Sequence, residues 1–316
     1  MKAFALNGFG EPGSVQEVPD PEPGEGQVRI RVAAAGLNPF DGWVIGGALK
    51  DDMEHRFPLI PAGDASGTID AVGPGVSDLV VGDEVFGSAG KPVMGEGSLA
   101  ELATMSTATI ARKPASLGHA DAAAIPIAGV TALNMVDAAS IADGQTVVVV
   151  GATGGVGSYL VQLAVRLGAT VVAVNSGANV EYARSLGASD VIAYTDTDVV
   201  EAARSRYPDG IDAIADLHRD PELVGRLAES VRSGGHVVSA TGGVDVESLA
   251  TRGIEGVNVS GRVTTESLGR LAAMFEADDL VSPELHRFTL DQGDAAFALV
   301  TSGHVRGKVV VIPTGE

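Results

Sequence analysis

The stretch from Gln145 to Val174 constrains the fold more than any other part of the chain. An apolar run, Thr146 to Val150, leads into Gly151-Ala152-Thr153-Gly154-Gly155-Val156-Gly157, then a helical pattern, then a second apolar run. Apolar side chains at Val156, Leu160, Leu163, Ala164 and Leu167 keep helical spacing, and Gly168 supplies the stop. The pattern predicts strand, turn, helix and strand. Unbroken valines on both sides suit parallel strands buried on both faces. Gly154 and Gly155 let the backbone come close to a pyrophosphate, whose charge would face the unpaired amides and the positive dipole end of the helix. Glycine strings also serve plain turns, and this chain has 42 glycines, so the flanking strand and helix carry the dinucleotide reading.

At 316 residues the chain is long enough for about two domains, each with its own core. The start, Met1 to Phe4, is too briefly apolar for a signal peptide and no long apolar run follows, so a cytoplasmic location is expected. The absence of cysteine excludes disulfides, thiolate nucleophiles and cysteine metal sites. With 41 acidic against 21 basic residues the formal charge is −20, which repels phosphate backbones and anionic membranes. Neither nucleic acid nor a membrane is therefore expected as a partner; the charge reads as a solubilising surface.

From Met1 to about Gly118, glycine and proline punctuate short β-rich runs such as Val28 to Val32, Ser66 to Val72 and Glu84 to Phe86, the pattern of a compact, mostly β domain. From about Asp121 to Gly261, strands alternate with helices. The strands are expected at Thr146 to Val150, Thr170 to Val174, Asp190 to Tyr194, Ile211 to Ala215, His236 to Ser239 and Val257 to Ser260, which makes an α/β fold with a doubly wound parallel sheet of six strands. A helix is expected over Pro221 to Arg232, with Asp220 as N-cap and Gly234 beyond its end. Beyond Gly261 come a helix near Thr265 to Ala277, a strand at Arg287 to Leu290, a helix after Asp291 and a strand at Lys308 to Ile312. This tail is expected to complete the first domain, giving residues 1–121 with 263–316 as one domain and 122–262 as the other.

Several strings coincide with one family in its order: Pro19 to Val32, Ala35-Gly-Leu-Asn-Pro-Phe-Asp41, Val81-Gly-Asp-Glu-Val-Phe-Gly87, Ala152 to Gly157, Gly234-Gly-His-Val-Val and Gly307-Lys-Val-Val-Val. Across essentially its whole length the chain resembles the medium-chain dehydrogenase/reductase superfamily, in its zinc-independent quinone oxidoreductase branch. The resemblance implies a GroES-like domain built from both chain ends, a Rossmann domain between them, a substrate in the cleft, and a homodimer. It further implies NADPH (NADP) as cofactor and hydride transfer to a quinone or an α,β-unsaturated carbonyl compound as the reaction. Zinc members of the superfamily hold their metal with an early Cys and a Gly-His-Glu string; here those places read Asn38 and Gly63-Asp64. The six histidines (His55, His119, His218, His236, His286 and His304) show no HxH or HxxxH spacing, so no metal is expected.

An NAD-specific site places a carboxylate after the second strand. This chain has Asn175, Ser176 and Asn179 there, neutral groups that leave room for a 2′-phosphate. The resembled pattern has a lysine near position 179, and Arg184 is the candidate to compensate for its absence. Tyr194 matches a family tyrosine around the phosphate; ordinary packing at a strand end explains it equally well. The remaining cofactor candidates are Ala152, Thr153, Gly154, Gly155, Val156 and Gly157 of the loop, Ala240, Thr241 and Gly242 after the fifth strand, Gly261, Arg262 and Val263 after the sixth, and Lys308. On the substrate side the resemblance points to Asn38, Asp41, Trp43 and Thr131. Asn38 offers an amide donor to a carbonyl, Asp41 an orienting carboxylate and Trp43 a flat face for stacking; Asn-Pro-Phe-Asp is also a good turn sequence. Two other readings stay open, an enoyl or enone reductase of a biosynthetic pathway and a catalytically idle NADPH-binding protein with a structural or regulatory role.

Overall fold

The computed structural model describes residues 1–89 and 93–313. The chain divides into two compact units, residues 1–130 with 263–316 and residues 131–262. The first break falls inside a continuous helix rather than at the expected 121/122 boundary, because the apolar run after Pro126 keeps helical geometry through Ala138.

In the first unit the chain forms β1 (Lys2–Ala5), β2 (Ser14–Glu17), β3 (Gln27–Leu37), α1 (Pro39–Ile45), β4 (Glu54–Ile60), β5 (Asp64–Val72), β6 (Glu84–Ser88), β7 (Val93–Glu96), β8 (Leu102–Ser106), β9 (Ile110–Arg112) and α2 (His119–Ala123). α3 (Pro126–Ala138) then crosses the division. The principal sheet runs β16-β17-β3-β5-β6-β9 with β8 also paired to β3, where β16 (Leu285–Thr289) and β17 (Lys308–Ile312) come from the far end of the chain. α9 (Thr265–Glu276) and α10 (Gly293–Thr301) complete this unit. β3 is longer than the expected Val28 to Val32, because Ala34 to Leu37 stay in register with β5 on one side and β17 on the other. Its core gathers Phe4, Ile30, Leu37, Ile69, Leu99, Met105, Phe297, Val309 and Val311. Both chain ends thus fill one interior, at roughly 1.5–3 kcal/mol for each large apolar side chain fully buried.

The second unit contains β10 (Thr146–Val150), α4 (Gly155–Arg166), β11 (Thr170–Asn175), α5 (Val180–Ser185), β12 (Asp190–Ala193), α6 (Val199–Arg206), β13 (Ile211–Asp216), α7 (Pro221–Ala228), β14 (Val231–Ser239), α8 (Val246–Ala250) and β15 (Glu255–Asn258). Its sheet is parallel throughout, in the order β12-β11-β10-β13-β14-β15. Order reverses at β10, where an open α/β sheet leaves a crevice beyond its strand ends. The helix expected over Pro221 to Arg232 stops at Ala228. Asp220 is its N-cap, accepting from the Leu223 N–H at 3.0 Å. Val231 has joined β14, whose register against β13 shifts by several residues between Val231 and His236. Gly234 therefore lies within a strand irregularity, at φ 82°, and does not terminate a helix.

Candidate active site

The Asn38 to Asp41 string is a helix start, not only a turn. Asn38 occupies the N-cap of α1 and Pro39 its first position. The Asp41 carboxylate accepts from the Asn38 backbone N–H at 2.7 Å, and the Asn38 carbonyl accepts from the Asp41 N–H at 3.0 Å. Because Asp41 secures the backbone, the Asn38 side chain is free for other work. Trp43, on the same helix, is 40% exposed.

Register explains what surrounds Asn38. β17 pairs with β3 so that Val309 faces Leu37, which sets Lys308 beside Asn38; β5 pairs with β3 so that Asp64 faces Gly36. Three adjacent strand ends thus bring Lys308, Asn38 and Asp64 together. Lys308 Nζ donates to Asn38 Oδ1 at 2.7 Å and to the Leu37 carbonyl at 2.8 Å. Asn38 Nδ2 donates to Asp64 Oδ2 at 2.9 Å, and the Ile127 N–H donates to the same oxygen at 3.1 Å. Gly36 is required here: a Cβ on it would lie 2.2 Å from the Ala123 carbonyl and 3.2 Å from Asp64 Cβ.

Asn38, Asp41, Asp64 and Lys308 are all buried. Burial pushes the Asp64 carboxyl up to about 6, with the Lys308 charge and the Asn38 amide opposing the rise. Burial pushes Asp41 up to about 7; the Asn38 N–H opposes this, and the neighbouring Asp64 charge adds to it. Lys308 is lowered by burial, against the pull of the two carboxylates. The four groups share charge in a dry setting, where each interaction is strong and each unpaired charge costly. Asp64 was legible only as what replaces a zinc string, and its central place comes from sheet register. Lys308, assigned from the resemblance to the cofactor, belongs to this cluster in the first unit.

In the second unit the expected cofactor residues gather at the C-terminal edge of the sheet. Gly151 turns the chain at φ 82°, and Gly154 caps α4 without a side chain. Gly157 lies so close to the turn that a Cβ would sit 2.3 Å from the Gly151 carbonyl oxygen. The cradle therefore has room for an anion only because these positions lack side chains. Asn179 Nδ2 donates to Thr153 Oγ1 at 3.3 Å, tying the glycine loop to the segment after β11. Asn175 is buried, with Nδ2 on the Ser176 carbonyl at 2.8 Å and Oδ1 without a hydrogen-bond partner among the described residues. Tyr194 follows β12 rather than ending it; it is half exposed, and its N–H donates to the Asn175 carbonyl at 3.1 Å. Arg184 pairs with Glu181 at 2.8 Å on the exposed face of α5.

Ala240, Thr241 and Gly242 follow β14 on the same edge, where a buried carboxylate not foreseen from sequence organises them. Asp216, ending β13, accepts from Ser239 Oγ at 2.7 Å, Thr241 Oγ1 at 3.0 Å and the His218 N–H at 2.9 Å. Burial raises its carboxyl, and these donors oppose the rise. Gly261 and Arg262 close this unit, with Arg262 exposed, whereas Val263 opens the returning segment of the first and is buried. Thr131 is buried on α3.

Residues 24–115 match the alcohol dehydrogenase GroES-like domain and residues 186–311 the zinc-binding dehydrogenase family. The NADPH-dependent alkenal/one oxidoreductase of Arabidopsis thaliana chloroplasts is 30% identical over 322 residues, covering 99% of this chain and 80% of the relative. This chain belongs to the medium-chain dehydrogenase/reductase superfamily. It is an oxidoreductase with the superfamily's GroES-like and Rossmann units. The chloroplast envelope quinone oxidoreductase homolog of Arabidopsis thaliana is 29% identical, covering 99% of this chain and 98% of the relative. The solved quinone oxidoreductase of Coxiella burnetii superposes with a TM-score of 0.89 at 30% identity, over 99% of both chains. Despite the zinc-binding description of one matched family, the residues of this medium-chain reductase do not fit that metal. Asn38 Oδ1 is held by the Lys308 ammonium, and among the described residues no three His, Cys, Asp or Glu side chains are grouped to hold an ion.

Proposed function

We propose that this protein is an NADPH-dependent, zinc-independent reductase acting on a quinone or an α,β-unsaturated carbonyl compound. The observation that most supports it is the side-chain-free entrance to α4, at the C-terminal edge of a sheet whose order reverses beside it. That entrance fits a pyrophosphate, and the orphaned Asn175 Oδ1 and the Thr153 and Asn179 pair beside it fit a ribose or its phosphate. No carboxylate ends β11, which favours the phosphorylated nucleotide. The exposed Arg184 and Glu181 pair is worth about 0–1 kcal/mol, so Arg184 can leave it for a 2′-phosphate at little cost. The relative described as NADPH-dependent agrees with this choice.

NADPH, when bound, supplies the hydride. The chain's own part is to hold the acceptor and stabilise the oxygen on which charge develops. Asn38 has a second Nδ2 hydrogen beyond the one given to Asp64, and this donor is aimed by a fixed frame at low cost in reorganisation. Trp43, exposed on the same short helix, offers a face for a flat acceptor. Asp41 holds the helix start, and Thr131, Ala240, Thr241, Gly242, Gly261, Arg262 and Val263 complete the assignment by resemblance.

The same reading has the protein working as a cytoplasmic homodimer on a small molecule, without nucleic-acid or membrane partners. The charge of −20 supports the exclusion of polyanions, and no helix among the described residues is long and apolar enough to cross a membrane. The test is NADPH oxidation against a panel of quinones, 2-alkenals and enoyl thioesters, with NADH in parallel. Rapid turnover with quinones or 2-alkenals and slower turnover with NADH is expected. Tight NADPH binding with no turnover on any acceptor would restore the idle reading.

A further inference from the structure

We infer that Lys308 and Asp64 are positioning residues that fix which end of the Asn38 amide carries nitrogen, and so aim its remaining N–H at the acceptor. The inference rests on the acceptor-side role given to Asn38 above.

The oxygen and nitrogen ends of an Asn side chain are nearly the same size, so packing alone cannot choose between them; hydrogen-bond polarity does. Here the two partners have opposite and fixed polarity. An ammonium only donates, and it meets Asn38 Oδ1 at 2.7 Å. An ionised carboxylate only accepts, and it meets Asn38 Nδ2 at 2.9 Å. Turning the amide over would set donor against donor and acceptor against acceptor, in a place where water cannot compensate because all three side chains are buried. Asp41 fixes the backbone of the same residue through the Asn38 N–H at 2.7 Å. Every degree of freedom of Asn38 is thus controlled by a charged group.

This frame is strongest while Asp64 is ionised, which makes Lys308 the controlling member. The elements packed on β5 carry other charges, Arg29 and Arg31 on β3, Glu84 on β6, and His119 and Asp121 on α2, and Asp41 on α1 and Lys113 after β9 lie beyond them. Arg29 and Arg31 pair with Asp70 at the opposite end of β5. Glu84 is matched by Lys113 at 3.2 Å and faces His119 at 3.4 Å, while His119 bonds Ser66. Asp121 lies in the first turn of α2. Lys308 is the cation that opposes the burial-driven rise of both Asp64 and Asp41. Removing its charge raises both carboxyls further. Asp64 then takes up a proton at a higher pH, on the Oδ1 that has no partner among the described residues, which leaves Oδ2 a weaker, uncharged acceptor for Nδ2 and loosens the hold on the amide's orientation.

The experiment measures kcat and KM for 2-hexenal with saturating NADPH, from about pH 5.5 to about pH 9, and NADPH affinity by fluorescence titration. It uses the wild type, Lys308→Met, Lys308→Arg, Asp64→Asn and Asn38→Ala. Lys308→Met is expected to move the acidic fall in kcat upward by about one pH unit, a roughly tenfold loss on that limb, with NADPH affinity unchanged. Lys308→Arg keeps the charge and the wild-type limb. Asp64→Asn, able to donate to the wrong end of the amide, slows turnover at every pH and flattens the limb. A Lys308→Met variant with wild-type kcat and an unmoved limb, beside a slow Asn38→Ala, overturns this inference alone. Wild-type turnover by Asn38→Ala overturns it together with the role of Asn38. If Lys308→Met does not fold, the side-chain amide resonance of Asn38 in the Asn-labelled wild type decides. A shift between about pH 5 and about pH 8 supports the inference, and a pH-invariant resonance overturns it.

Discussion

Replacing Gly157 by alanine isolates the cradle for the cofactor from everything else in the fold. The added Cβ would lie 2.3 Å from the Gly151 carbonyl oxygen and 2.7 Å from the carbonyl carbon and oxygen of Ala152. All three are backbone atoms, so no side chain can swing aside. The turn is held in turn by Gly151 N–H on the Val174 carbonyl at 3.0 Å and Gly154 N–H on the Gly151 carbonyl at 3.2 Å. α4 must therefore move away by about 1 Å, the gap between the overlap and ordinary van der Waals contact, at an overpacking cost of about 1–3 kcal/mol. A pyrophosphate bonded to two amides at the helix start loses both at that displacement. At about 1.5 kcal/mol or more for each charged hydrogen bond, the loss is about 3 kcal/mol, or on the order of 150-fold in Kd. NADPH fluorescence titration reads the affinity, and thermal unfolding reads the fold. Gly225→Ala is the control: it sits in α7 with nothing within 4 Å of its Cβ, so it should stabilise by about 0.5–1 kcal/mol and leave NADPH affinity alone. A Gly157→Ala protein that binds NADPH as tightly as the wild type would refute the assignment of the loop.

Two further outcomes follow from buried charge. Asp216→Ala leaves the Ser239 and Thr241 hydroxyls and the His218 N–H without their acceptor, and should lower the unfolding free energy in urea by about 2–4 kcal/mol; a loss below about 1 kcal/mol would show the network to be idle. Asp41 and Asp64 have folded pKa values near 7 and 6, above the ordinary 3.8, so the folded chain holds their protons more tightly than the unfolded one. That contribution is fully present below the unfolded value, declines as pH rises above about 4, and is lost once pH has passed through about 6 to 7. The urea midpoint should fall between about pH 4 and about pH 7 in the wild type and fall less in Asp41→Asn; parallel profiles would contradict the burial account.

The parts of the fold that could be read from sequence are those whose signal is local. β10 and β17 begin and end where their unbroken apolar runs do, Thr146 to Val150 and Lys308 to Ile312, because strands buried on both faces tolerate little else. The end of β3 was hidden, since Ala34, Ala35 and Gly36 carry no strong strand preference and are held there by neighbours on both sides. The β14 irregularity was hidden for a related reason: Ser233, Gly234 and Gly235 read as a stop, yet pairing with β13 resumes beyond them. Asn38 and Asp41 stood out because they lie in one short string. Asp64 and Lys308 join Asn38 across separations of 26 and 270 residues, by a register that only the assembled sheet defines. Asp216 was hidden too, because the hydroxyls that give it a purpose, Ser239 and Thr241, come with the next strand.

The most direct test is to follow the hydrogen itself. Turnover of 2-hexenal with NADPH carrying deuterium at the transferable C4 position should place one deuterium at the β-carbon of the saturated product, seen by mass spectrometry, with the second hydrogen drawn from solvent. A product without that label, or no turnover of 2-hexenal or of any quinone while NADPH remains bound, would contradict the account of this chain as a hydride-transferring reductase.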